Sequence, residues 1–336
     1  MINHKNLTVE DITNILNSDF PVSLLFKYRY KFQYYLNTEN GASCSQDSYT
    51  INFLDCPDNP HLDCFNERLN IIHSLRKIIT NSNLSEEVIF FLHGSYATGS
   101  ITKFSDIDLG VIILSDQVSN SMLLKLRKVV RMLLSYIYSI DVLMHHGIQV
   151  FIKQNLDGFD QSMLPIEALK NSVLLYGPNS IKVTPDDMFS ANEAKRKLIM
   201  QCEAVISFRD HKINHSLYKM KCLISVVLLI PVLLLEANDN EFLYKGTAIN
   251  RARKLYSGRI SFKAIDLASE LRNDWFIPEK VRLVRNLITS INPIIPCIQN
   301  AQRISGVMAY LPKAQAKEFI SEAKNYAYSV RSICNG

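Results

Sequence analysis

The sequence is poor in residues that interrupt or cross-link a fold. Its 336 residues include only 11 glycines and 11 prolines, which excludes collagen-like and low-complexity chains. Only 21% of the residues are charged and 47% are hydrophobic, which excludes an intrinsically disordered chain. The seven cysteines are scattered, form no CxxC pair and follow no apolar leader. We therefore expect reduced thiols in a cytoplasmic protein rather than a disulfide framework.

The sequence also lacks an uninterrupted apolar run of membrane-spanning length. The strongest candidate is the 14-residue stretch at positions 222–235, CLISVVLLIPVLLL, which contains Pro231. A transmembrane helix needs roughly 20 apolar residues. We therefore expect a buried core helix and no membrane partner.

Charge is distributed unevenly along the chain. Residues 1–190 carry a net charge of −5, residues 191–290 a net charge of +7, and residues 291–336 a net charge of +3. A basic back half suits a phosphate-bearing partner such as a nucleotide or RNA. The alternative is a solvated helix surface without a ligand.

Hydrophobic periodicity changes character near residue 185. Before it, short apolar runs alternate with helical patterns, and after it only helical patterns recur. The pattern predicts an α/β domain with a small mixed β-sheet and flanking helices, followed by an all-α domain. We expect an N-terminal extension over 1–85, the α/β domain over 86–182 and the helical domain over 183–336.

The predicted elements follow from these patterns. Residues 22–36 are compatible with a strand or a helix, and residues 42–60 read as a loop. Strands are predicted over 88–92, 107–114 and 147–152, with a turn over 94–99. The predicted helices cover 67–79, 122–138, 166–175, 187–212, 216–236, 246–256, 262–272, 279–290 and 300–330.

The first chemical motif is a glycine-serine turn directly after a buried strand. The segment reads HGSYATG from His93 to Gly99. Glycine allows the backbone to approach an anion closely, and the Ser95 hydroxyl with nearby N–H groups can hold phosphate oxygens. Gly94 and Ser95 are therefore candidates for binding a phosphate group.

The second motif is a pair of aspartates at the start of the next strand. Asp106 and Asp108 are two residues apart, so their side chains face the same way if this segment is extended. Two carboxylates so close together are stable when a cation lies between them. An oxygen-rich pair suits Mg²⁺ or Mn²⁺. Such a metal could bridge the phosphates of an NTP and assist phosphoryl-group transfer.

The two motifs together resemble the DNA polymerase beta-like nucleotidyltransferase superfamily. Its signature is a GS turn followed after about ten residues by DxD, and here ten residues separate Ser95 from Asp106. The resemblance covers roughly residues 86–180. It implies that Gly94 and Ser95 hold the triphosphate of an NTP, that Asp106 and Asp108 bind metal and act in catalysis, and that the helical back half is an accessory domain.

The third carboxylate of the superfamily has no counterpart on the next predicted strand. The segment from 147 to 153 reads GIQVFIK and contains no acid. The nearest candidates for a metal ligand or general base are Asp141, His145 and His146 before the strand and Asp157 after it. DVLMHHG at 141–147 resembles a DPLxHHG stretch of some bacterial nucleotidyltransferase-like proteins, and His146 is our candidate catalytic residue there.

Two lysines before the apolar helix are further candidates. In many superfamily members a basic residue of the helical domain reaches the triphosphate, which by resemblance points to Lys219 and Lys221. Snorkelling at the end of a buried helix is the alternative.

The resulting hypothesis is a metal-dependent enzyme. It would move a nucleoside monophosphate from an NTP to an acceptor and release pyrophosphate. RNA, another nucleotide, a small molecule and a protein side chain are all compatible acceptors. The alternative is a catalytically degenerate protein of the same fold that binds nucleotide or RNA.

Overall fold

The computed structural model describes residues 5–17, 33–36, 47–55, 67–84, 86–141, 143–144, 146–291 and 309–334. The predictions for residues 22–32, 42–46, 56–60 and 300–308, and for His145, lie outside these ranges.

Strands within the described residues form three small sheets. They are β1 (Lys5–Leu7), β2 (Gln33–Leu36), β3 (Tyr49–Asn52), β4 (Val88–His93), β5 (Asp108–Ile113), β6 (Gln117–Ser119), β7 (Gln149–Ile152), β8 (Asp157–Phe159), β9 (Val173–Tyr176) and β10 (Ser180–Pro185). The sheet orders are β7-β5-β4-β9, β1-β2-β6 and β3-β10-β8.

Helices account for most of the remaining described residues. They are α1 (Val9–Asn17), α2 (Glu67–Thr80), α3 (Gly94–Thr98), α4 (Asn120–Ile140), α5 (Ile166–Lys170), α6 (Asp187–Ser207), α7 (Leu217–Asp239), α8 (Lys245–Tyr256), α9 (Lys263–Asn273), α10 (Glu279–Ile291) and α11 (Lys313–Cys334).

The four-stranded sheet is mixed and has its two central strands buried. Every residue of β4 is buried, and all residues of β5 except Asp108 are buried. β4 runs antiparallel to both β5 and β9, whereas β7 runs parallel to β5. Strands covered on both faces read as continuous apolar runs, which is why VIFFL and LGVII predicted them correctly.

Helices cover this sheet within the same part of the chain. α2 packs against α4 and β9, and α1 packs against α4 and β7. The buried residues of α2 recur at helical spacing (Leu69, Ile72, Leu75 and Ile79). α4 begins where the Ser119 hydroxyl accepts a hydrogen bond from the Met122 amide at 3.1 Å.

The apolar helix α7 forms the core of the C-terminal helices. It packs against α6, α8, α9 and α11. By length and composition alone it could cross a membrane, but 72% of its most apolar window is buried inside the protein. The predicted core helix is therefore present.

Besides the turn over 94–99, three predicted elements differ from the structure. The helix predicted over 166–175 ends at Lys170, and residues 173–176 form β9 instead, because they pair with β4. The segment predicted as a loop over 42–60 contains β3, which pairs with β10. The last helix begins at Lys313, directly after Pro312, which has no N–H group to extend a helix backwards.

The chain divides into two compact units. The first consists of Met1–Ser100, Asp106–Phe159 and Ala168–Pro185, and the second of Ile101–Ser105, Asp160–Glu167 and Asp186–Gly336. All three sheets lie in the first unit, and the second unit is predominantly helical within the described residues. A small mixed β-sheet core with flanking helices and a helical C-terminal region is the fold class that the sequence predicts.

Candidate active site

The glycine-serine segment forms one helical turn, not the open turn that the sequence predicts. β4 ends at His93, and α3 starts at Gly94, whose φ of +72° is easily adopted only by glycine. A Cβ atom at Gly94 would lie 2.3 Å from Oδ2 of Asp108. Glycine therefore lets the backbone pass directly beside the Asp108 carboxylate. Gly99 ends the helix in the left-handed conformation, with its amide donating to the Ser95 carbonyl at 2.9 Å.

The strand pairing brings the two sequence motifs together. β4 and β5 run antiparallel, and their register places His93 opposite Asp108. The end of β4 and the start of β5 therefore lie at the same edge of the sheet. Ser95 follows at this edge, and its half-buried side chain makes no hydrogen bond with any residue that the structure describes. A hydroxyl in that position is available to a ligand.

His146 lies against both aspartates. Its Nε2 atom is 3.2 Å from Oδ1 of Asp108 and 3.7 Å from Oδ2 of Asp106. Burial alone would lower the pKa of His146, but hydrogen bonds and charge from the two carboxylates outweigh it and hold that pKa well above its usual range. At neutral pH an imidazolium therefore stands beside the paired carboxylates, in the place where a cation offsets their repulsion.

His93 is a second histidine at this edge that the sequence reasoning missed. It is buried, and its Nε2 atom has no hydrogen-bond partner among the described residues. Burial lowers the pKa of His93, and the His146 charge lowers it further, against the opposing influence of Asp108 and Gln149. The ring is therefore neutral at pH 7. The signal for it was available, since His93 is the one polar residue in the apolar strand VIFFLH.

The strand on which the sequence lacks a third carboxylate, β7, reads QVFI and carries no acid. β7 begins at Gln149, which stands opposite Gly110 of β5 in the parallel register. Asp157 is exposed at the start of β8, and the Asp141 carboxylate accepts a hydrogen bond from the Leu143 amide at 3.1 Å. Among the described candidates, His146 is thus the one that contacts the aspartate pair.

Arg68 supports the glycine-serine helix from α2, and no motif in the sequence pointed to it. Its Nε atom donates to the Tyr96 carbonyl at 2.6 Å, and its Nη2 atom donates to the Ala97 carbonyl at 2.5 Å. The last carbonyls of a short helix have no partner within the helix, so the guanidinium satisfies them and its charge suits the helix C-terminus. Arg68 is therefore a positioning residue for α3.

The two predicted phosphate-binding lysines both lie in the second unit, near the start of α7. Lys219 is exposed, whereas Lys221 is 1% exposed, with its ammonium 5.5 Å from the centre of the Phe104 ring. Burial against an aromatic face is a cation–π arrangement. Their assignment to a triphosphate stays a prediction.

The chemistry of this edge is that of an oxygen-rich cation and phosphate site. Two carboxylates, a serine hydroxyl and a glycine-lined backbone converge there, which suits a hard divalent cation together with a phosphate ligand. Within the part of the chain that the structure describes, no group of three or more His, Cys, Asp or Glu side chains is arranged to hold a metal ion by itself. A hard divalent cation on the two carboxylates would take its further ligands from outside this group of side chains.

Comparison with known proteins identifies the region that carries this site. No curated protein and no solved structure matches the chain. Residues 74–157, which include Gly94, Ser95, Asp106, Asp108 and His146, match the family model described as a nucleotidyltransferase domain, which supports a general nucleotide-transfer activity.

Proposed function

We propose that the protein is a metal-dependent nucleotidyltransferase that moves a nucleoside monophosphate from an NTP to an acceptor hydroxyl or phosphate and releases pyrophosphate. The observation that carries the proposal is the placement of Asp106 and Asp108 beside the Gly94–Ser95 turn, with His146 against both carboxylates. This arrangement lies inside the stretch that matches the nucleotidyltransferase domain.

Each residue has a distinct part in the proposed reaction. Gly94 admits the phosphate chain close to the backbone, and the Ser95 hydroxyl donates to a phosphate oxygen. Asp106 and Asp108 hold Mg²⁺ or Mn²⁺ jointly with the triphosphate. The metal, when bound, supplies positive charge to the transferring phosphoryl group and to the acceptor oxygen.

We propose for His146 a role in addition to the metal ligand or general base that the sequence suggests. A general base must be neutral before it accepts a proton, and the aspartates favour the protonated ring. We therefore assign His146 first as the cation that keeps the two carboxylates together before a nucleotide arrives. His146 serves as a base only after another cation has offset the negative charge of Asp106 and Asp108, because the ring can then lose its proton.

A second candidate function follows from the lack of a third carboxylate on β7. β7 begins at the neutral Gln149 and carries no acid that could complete the metal site. This favours a degenerate protein of the same fold that binds a nucleotide or RNA without transferring anything. Catalysis and binding therefore need separate measurements.

The test of transfer uses the full chain with each α-labelled NTP, Mg²⁺ or Mn²⁺, and total cellular RNA. We expect label on one product class, and we expect none with the Asp106→Ala/Asp108→Ala variant. The matched control is Asp116→Ala, which removes an exposed aspartate paired with Lys153 on the surface. Label that survives the double substitution would show that the assigned site is wrong.

The test of binding uses calorimetry with the wild type, the Asp106→Ala/Asp108→Ala variant and the Asp116→Ala control. We expect NTP affinity to fall in excess EDTA, because the aspartates hold the metal and the metal holds the triphosphate. Equal affinity with and without EDTA would contradict a metal-bridged nucleotide. Intact NTP binding with no label in any fraction would favour the degenerate protein.

A further inference from the structure

The second unit carries a dense basic segment that the proposed active site does not use. Residues 251–263 read RARKLYSGRISFK and contain five Lys or Arg side chains and no acid. The segment covers the end of α8, the connection and the start of α9. Such a run of one sign concentrates positive potential on a small surface.

Ion pairs neutralise only part of this segment. Arg251 pairs with Glu241, Arg253 with Asp266, and Lys263 with Glu318 and Glu322. Lys254 and Arg259 are both exposed, and neither has an ion-pair partner among the residues that the structure describes. Two cations in the segment are therefore available to an external anion.

An open depression of about 420 Å³ lies within the same segment. It is lined by Arg253, Lys254 and Ser257 from the end of α8 and its turn, and by Ile260, Ser261 and Phe262 before α9. The Arg253 guanidinium lies 5.2 Å from the centre of the Phe262 ring, which orients it at the wall of the depression. The hydroxyls of Ser257 and Ser261 and the Lys254 ammonium are donors that bind phosphate oxygens, whereas Arg253 is already paired with Asp266.

We infer that this depression, with Lys254 in its wall and the exposed Arg259 between the lining residues Ser257 and Ile260 along the chain, binds the phosphate backbone of RNA. The inference deepens the proposed function, on which it rests, by naming RNA as the acceptor. The open shape favours a polymer that lies across the surface, since small-molecule sites are mostly enclosed. A phosphate backbone carries an anion at every nucleotide, and this repeated negative charge complements a segment with two unpaired cations.

The test measures RNA affinity without catalysis. A fluorescently labelled single-stranded RNA of about 20 nucleotides is titrated with the full chain in EDTA, at about 50 to 200 mM KCl, and binding is followed by anisotropy. The variant is Lys254→Glu/Arg259→Glu. The matched control is Lys212→Glu/Lys313→Glu, which makes the same charge change at two exposed lysines of the same unit.

We expect the Lys254→Glu/Arg259→Glu variant to raise the Kd at least about tenfold and to reduce the salt slope by about 2, one for each lost phosphate contact. The control should change the Kd by less than about threefold. Equal weakening by both variants would show a response to net charge only and would overturn the site. Absence of RNA binding by the wild-type protein would also overturn it.

These results separate the inference from the proposed function. Label on a small molecule or protein, with no RNA binding, would overturn the RNA site and leave nucleotide transfer intact. RNA binding that depends on Lys254 and Arg259, with no transfer of label to any acceptor, would support the site and contradict the proposed enzyme. The Asp106→Ala/Asp108→Ala variant should bind RNA as the wild type does.

Discussion

The first unit holds two partly buried carboxylates and the second unit a single buried one, and they differ in what stands beside the charge. In the first unit, Asp106 and Asp108 face the His146 ring at 3.7 and 3.2 Å. In the second unit, Glu236 is 1% exposed near the end of α7, and its Oε2 atom has no hydrogen-bond partner among the described residues.

The pKa values follow from this difference in neighbours. The aspartates raise the pKa of His146, so positive and negative charge persist together at the first cluster. Burial raises the pKa of Glu236 to about 8, because the nearby Lys197 lowers it less than burial raises it. A cluster built to meet a ligand keeps its charge, whereas a lone buried acid takes up a proton.

The largest expected effect comes from neutralising the first cluster. Asp106→Asn with Asp108→Asn should reduce transfer by at least about 10³-fold, because both proposed metal ligands lose their charge. The same change should bring the pKa of His146 below its usual range, since burial then acts alone. Transfer assays and an NMR titration of the histidine rings in metal-free protein measure the two effects. A His146 pKa that stays high would show that the aspartates are not its cause.

The next effect comes from removing the uncompensated acid of the second unit. The pKa of folded Glu236 lies above its unfolded value, so its stabilising contribution is complete below the unfolded pKa and is lost as pH rises towards about 8. Glu236→Gln should therefore raise the free energy of unfolding by on the order of 3 kcal/mol at about pH 8.5 and change it little at about pH 5. Urea denaturation at both pH values measures this.

The control for Glu236→Gln is a glutamate with a partner in the same unit. Arg251 donates hydrogen bonds to Glu241 and lowers the pKa of that carboxyl. Glu241→Gln should therefore produce no gain at high pH. A pH-independent gain in Glu236→Gln would mean that packing, and not the carboxylate's charge, limits stability.

The smallest of the three effects concerns Arg68, whose charge lies against the backbone carbonyls of α3 and not against a carboxylate. Arg68→Ala removes two hydrogen bonds to α3, which we expect to cost about 2 kcal/mol of folding stability and to raise the KM for NTP more than it lowers kcat. Arg68→Lys keeps the charge but loses the paired donors. Its folding stability and its KM for NTP should therefore lie between those of the wild type and of Arg68→Ala.

Lys77→Ala is the control for Arg68, since Lys77 is exposed on the same helix. It should leave both stability and KM unchanged. A KM for NTP that is unaltered in Arg68→Ala, despite lower stability, would limit Arg68 to a structural role away from the phosphate-binding turn.

Local hydrophobic periodicity was sufficient to predict the type of those elements whose burial is uniform along their length. The continuous apolar runs of β4 and β5 and the helical spacing in α2 predict their types correctly, because each pattern matches one burial geometry. The pattern was insufficient at residues 173–176, where a short apolar run suits a helix or a strand equally. Pairing with β4, which is distant in sequence, decided for the strand.

The sequence by itself determined the chemistry that the site can offer. The order strand, Gly94–Ser95, then Asp106 and Asp108 is a local property of the chain, and it predicts a cation and phosphate site before any contact is known. Tertiary structure decided which other groups reach that site. His146 approaches it from the segment before β7 and Arg68 from α2, and His93 becomes a neutral buried ring. Sheet register and helix packing set these distances, which residue spacing does not contain.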